Sequence, residues 1–182
     1  MKRIISIVMV LLIVLGLFTG CLGNKYNARI YSHAEDLVLS TFLEENKVLG
    51  AFYPNPDYVD VEDLEDDEYP VDKYYQDETS PRSRIFIIND SETFDSIFQK
   101  DKIEVDFSKE VVYLYVFSDD SPREYLLDDI SLEDGKMTIC CKLAYSNKKD
   151  SGMPSQRCLA VVMDKNDATE VEFIDKWNGE KL

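Results

Sequence analysis

Histidine, glycine, tryptophan and positive charge are all scarce in this chain. Its 182 residues include one His, one Trp and seven Gly, and 20 Lys and Arg stand against 36 Asp and Glu, a formal charge of −16. Each scarcity excludes something. A nucleic-acid binder grips phosphates with Lys and Arg, which are heavily outnumbered here, so nucleic acid is not a partner. With His33 the only histidine, any Ser/His/Asp or Cys/His site would have to be built on that one residue. We read His33 as a partly exposed helix residue. No GxSxG, HExxH or glycine-rich phosphate loop occurs, so no catalytic residue, metal-ligand set or cofactor is assigned. The 11 Tyr and 9 Phe exclude wholesale disorder and suffice for one ordinary core.

The amino terminus carries the most specific signal. Lys2 and Arg3 precede an uncharged, largely Ile, Val and Leu run over residues 4–20, and Thr19-Gly20 stands directly before Cys21. This is the layout of an export signal, and at 17 residues the run is short for a membrane span of about 20. The segment resembles the lipobox of bacterial lipoproteins, with Phe18 where Leu is usual. The resemblance implies cleavage before Cys21, lipid on its sulfur, and a cell-membrane location on the extracytoplasmic face. Residues 1–20 are then the signal peptide, 21–27 the anchor and tether, and 28–182 one domain. Without Lys2 and Arg3 the mature chain carries 18 bases against 36 acids.

Along the domain, apolar residues at helical spacing predict a helix over residues 24–46, and residues 47–53 read as a short strand stopped by Pro54 and Pro56. Residues 54–80 hold eleven acids, the single base Lys73 and three prolines, and we read an acidic solvated loop within the domain. A strand over 84–88 then leads to a short helix capped from Asn89-Asp90-Ser91, with Phe94, Ile97 and Phe98 on one face. Residues 111–117 are apolar without alternation, which predicts a central strand covered on both faces. Asp134-Gly135 is a two-residue hairpin turn. Counting outward from it sets Leu132 opposite Met137, Ile130 opposite Ile139 and Leu126 opposite Leu143. Strands over 157–163 and 169–174 complete an α+β domain: an antiparallel or mixed sheet with one or two helices.

Within residues 83–173, Ser91-Glu92 with Phe94 and Phe98, then Asp106-Phe107 before the apolar strand, follow a recognisable order. The stretch 130–135 and Pro154-Ser155-Gln156 before Leu159 continue it. This order resembles the PrcB-like C-terminal domain of bacterial exported proteins, and uncharacterised clostridial lipoproteins. Where those domains tend to have Gly-Gly-Tyr, this chain has Ser121-Pro122-Arg123-Glu124-Tyr125. The resemblance implies a non-catalytic accessory module and transfers no catalytic residue.

Four further features bear on function. Tyr58, Tyr69, Tyr74 and Tyr75 interleave with acids and could form a partner-binding strip. The run Asp60-Val61-Glu62-Asp63-Leu64-Glu65 alternates like calcium ligands but lacks the glycine and spaced bidentate Glu of an EF-hand. In the hairpin register Cys141 faces inward with Met137 and Ile139, while Cys140 points away. A bridge from Cys158 to one of them is allowed outside the cytoplasm. The expectation is therefore a lipid-anchored binding or accessory module of the cell envelope, with an envelope protein as partner. The rivals are an envelope hydrolase and a calcium-responsive acidic surface module.

Overall fold

The computed structural model describes residues 26–58, 72–120, 123–144 and 152–182. Its strands are β1 (Ala28–Ser32), β2 (Phe52–Pro54), β3 (Tyr74–Gln76), β4 (Ser83–Ile88), β5 (Glu110–Asp119), β6 (Tyr125–Glu133), β7 (Lys136–Leu143), β8 (Ser155–Asp164) and β9 (Glu170–Asp175). Two short helices, α1 (Ser40–Glu45) and α2 (Ser91–Ile97), and a 3-10 turn at Ala34–Asp36 accompany them. The class is α+β, as the sequence predicts.

The two most apolar strands lie at the centre. β5 and β8 pair antiparallel from Glu110↔Asp164 to Asp119↔Ser155, inside a four-stranded sheet of order β1-β8-β5-β4. Their side chains alternate between two cores. Val112, Leu114, Val116, Cys158, Ala160 and Val162 face the helices, where Val38, Phe94, Ile97 and Phe98 cover them. Tyr113, Tyr115, Phe117, Leu159, Val161 and Met163 face a second, three-stranded sheet of order β6-β7-β9. A strand buried on both sides needs no polar alternation, which is why residues 111–117 have none. The layers run helices, four-stranded sheet, three-stranded sheet.

Local signals place the smaller elements. Asp90 caps α2 by accepting the Thr93 N–H at 2.8 Å, and α2 turns Phe94 and Ile97 into the core, with Phe98 stacked on Phe94 at 4.5 Å between centroids. Asp134 (φ 50) and Gly135 (φ 80) form the hairpin turn, both in the left-handed region that a type I′ turn requires. Gly135→Val should lower stability by about 1 kcal/mol or more. Beyond the strained φ, its new Cβ would stand 3.3 Å from Thr169 Oγ1. The urea midpoint measures the effect, and an unchanged midpoint would show that the turn tolerates a branched residue.

The hairpin register holds for Leu132↔Met137 and Ile130↔Ile139 but not for the third expected pair. An irregularity between Leu127 and Asp129 makes Asp128 the extra residue of a β-bulge, so Tyr125 rather than Leu126 lies opposite Leu143. Tyr125 is consequently buried and Leu126 exposed. The extruded Asp128 carboxylate accepts from Lys142 Nζ at 2.7 Å and Lys176 Nζ at 2.8 Å, and these bonds hold it below its ordinary carboxylate value.

Four other expectations are corrected. Of the helix expected over 24–46, only Ser40–Glu45 is α-helical among the described residues: 28–32 become β1, because β8 needs a partner along its outer side. The chain then reverses at His33, which is left-handed (φ 68) and caps the 3-10 turn rather than sitting within a helix. The strand expected over 47–53 is confined to β2, which runs into Pro54 because β2 lies at the edge of a two-stranded ladder. Its partner β3 lies inside the 54–80 stretch, so that stretch is not loop throughout; Phe52↔Gln76 and Pro54↔Tyr74 pair its two ends.

Candidate functional site

The sheet register gives the domain two unlike ends. β1 starts at Ala28 beside Met163, at the end shared by the Asp134-Gly135 turn and the 165–169 connection. At the other end lie residues 123–124 and 152–154, the β2–β3 ladder and the 176–182 segment. That second end, remote from where the tether joins, carries the features described below.

Two grooves lie there, one lined in part by Lys47 and the other by Leu49 and Gly50. In one, of about 380 Å³, Tyr53 and Tyr75 hold their ring centroids 5.8 Å apart beside Pro54 and Pro56. Lys47 Nζ lies 5.3 Å and 5.1 Å from the two centroids and is hydrogen-bonded to the Tyr75 hydroxyl. That bond raises Lys47 above its ordinary value, while burial raises the Tyr53 phenol. The groove therefore places the Lys47 ammonium between two aromatic rings. The other groove, of about 560 Å³, has Leu49 and Phe117 as its apolar part and the exposed Arg82 and Lys181 at its rim.

Trp177 lies at the same end and is 77% exposed. It follows β9 in a turn fixed by Asp175, whose Oδ1 accepts the Trp177 N–H at 2.7 Å and the Asn178 N–H at 3.3 Å. Lys176 Nζ sits 5.9 Å from the indole centroid. The chain's single tryptophan is thus held in the solvent by an ordered turn rather than packed in either core.

Beneath this end lies a polar cluster that holds structure together. Arg157, only 7% exposed, donates from Nε to Glu35 Oε1 at 2.8 Å. Its Nη2 lies 2.6 Å from His33 Nδ1, and Glu35 Oε2 accepts the Cys158 N–H at 2.9 Å. Since β1 ends at Ser32↔Leu159, the Glu35 carboxylate takes over as acceptor for β8 where the strand partner stops. Nearby, Tyr125 donates its hydroxyl to Asp119 Oδ2 at 2.8 Å, and burial raises the phenol far above its ordinary value.

The candidates read from the sequence fare unevenly. Cys21, the 60–65 run and Tyr69 lie outside the described residues. Of the tyrosine strip, Tyr75 enters the groove, Tyr74 points outward, and Tyr58 packs under Lys73, 5.5 Å from its ring centroid. Cys141 is buried as expected, with its thiol pushed up to about 12 by desolvation, and Cys140 is half-buried on the opposite face. Cys158 does not bridge to either: it lies in the helix-side core and Cys141 between the sheets, so the central sheet separates them. Among the described residues, no group of three or more His, Cys, Asp or Glu could share a metal ion, and no helix is long and apolar enough to cross a membrane.

The sequence reading missed Lys47, Tyr53, Trp177 and the Glu35–Arg157 pair. Only Trp177, lone and outside any apolar run, offered a local signal. No family model, curated protein or solved structure matches the chain.

Proposed function

We propose that this protein is a lipid-anchored, extracytoplasmic accessory module of the bacterial cell envelope that works by binding another envelope protein and not by chemistry. The observation that carries the binding part is Trp177, 77% exposed on an ordered turn at the end remote from the tether. A tryptophan displayed in water forgoes a large apolar burial, and this residue type dominates the energetics of protein contacts. The Tyr53–Lys47–Tyr75 groove at the same end adds aromatic area at low entropic cost. The anchoring part rests on the sequence around Cys21.

A photo-reactive residue placed at position 177 in the membrane-bound protein should crosslink to one envelope protein in living cells. The same residue at Asp134, in the turn at the opposite end, should not. Equal labelling from both positions, or labelling from 134 alone, would overturn the assignment of the binding end.

A further inference from the structure

Most strand edges in this fold are covered or blunted. The outer side of β9 meets the carboxy-terminal segment, where Asp175 N–H donates to Glu180 O at 2.8 Å and Ile174 pairs with Lys181. β6 is broken by the bulge at Asp128 and carries Asp129 and Glu133, and β1 is closed at its end by Tyr125 N–H donating to Ser32 Oγ at 2.7 Å. Bulges and charges of this kind discourage another chain from adding to a sheet.

β4 has neither protection. Among the described residues it pairs with β5 alone, and no other hydrogen bond between them reaches the backbone of Ser83–Ile88. In an antiparallel ladder every second residue turns both its N–H and its C=O away from the partner strand, so half of the polar backbone of β4 faces outward. Arg84 does not guard the edge, because its side chain turns to the helix side and donates to Lys47 O at 3.2 Å. On the other face Ile85 and Ile87 stay 37% and 36% exposed, since the three-stranded sheet does not reach over them.

We propose that a second copy of this chain occupies this edge, with β4 pairing antiparallel to β4 across a two-fold axis and joining the two sheets into one of eight strands. Outward-turned residues must meet outward-turned residues, which admits only registers centred on a residue. Centring on Phe86 sets Ile85 opposite Ile87 of the second copy, twice, on the exposed apolar face. It also sets Arg82, which makes no ion pair among the described residues, opposite the exposed Asp90 of the second copy. Residues 82–90 hold two bases and one acid in a chain of net −16, so the copies meet along a stretch that lacks the acidic excess of the rest. The pairing leaves both Trp177 ends free and does not depend on the lipid. With lipid present, tethers of residues 21–27, reaching about 24 Å at most, would both meet one membrane when the sheet lies along it.

The test uses the full chain in a Cys140→Ser background, with Ile85→Cys and Ile87→Cys expressed together under different tags and mildly oxidised. Directly opposite positions satisfy disulfide geometry and diagonal ones do not, so the mixed pair should crosslink about fivefold more than either variant alone. Both positions are partly exposed, and an unchanged melting temperature confirms that the variants fold. Three outcomes would overturn the proposal: preferential crosslinking of one variant with itself, no mixed product above a Lys136→Cys control, or disulfide capture of a different protein.

Discussion

Cys21→Ala should abolish incorporation of labelled palmitate and leave full-length precursor in the membrane. The substitution removes the only thiol in the first 139 residues and leaves Lys2, Arg3 and the uncharged run of 4–20 intact, so export would still begin. The effect should be close to all-or-none. Each buried methylene contributes about 0.8 kcal/mol to membrane attachment, so two acyl chains hold stably where one is marginal. The sparse positive charge after the cleavage point, Lys25 and Arg29, gives no second means of attachment to an acidic membrane surface. Normal processing of the mutant, with wild type free in the medium, would mean a conventional signal and a released protein.

Glu35→Ala should strongly destabilise the domain. It leaves Arg157, 7% exposed, without the carboxylate 2.8 Å from its Nε, and leaves the Cys158 N–H without an acceptor. Removing the carboxylate from a largely buried ion pair, together with the acceptor of a buried N–H, costs about 3 kcal/mol. For a domain of this size that corresponds to a fall of about 6 to 12 °C in Tm. Glu35→Gln, which keeps an oxygen acceptor for Cys158, should lose less than half as much. A Glu35→Ala protein melting within about 1 °C of wild type would show that water replaces the carboxylate and that the cluster is not a buried lock.

The two substitutions fall on opposite sides of what was legible in the chain. Cys21 is found by a local signal: charge, uncharged run, small residues and thiol occur in order over 21 positions. The Glu35–Arg157 contact joins residues 122 positions apart. Nothing around either residue distinguishes it from the other charged residues of an acidic surface.

By itself the sequence determined the elements whose cause is local or whose burial is total. Residues 111–117 show their place in the central sheet because burial on both faces removes every polar side chain. Asp90 and Gly135 show theirs because a cap and a left-handed turn each need a particular residue type. Tertiary structure alone decided the rest. Ile30 falls in a helical apolar spacing with Ala34, Leu37 and Thr41, yet the open side of β8 supplies five paired positions to residues 28–32 that an isolated helix cannot match, so they become β1. The bulge at Asp128 exchanges Leu126 for Tyr125 in the core, because two lysines, one beyond β9, bind the extruded carboxylate. The same reason covers Lys47 between Tyr53 and Tyr75, which meet only when β2 and β3 pair across the acidic stretch. In each case the deciding free energy comes from a partner far along the chain, and a pattern read over a few residues does not contain it.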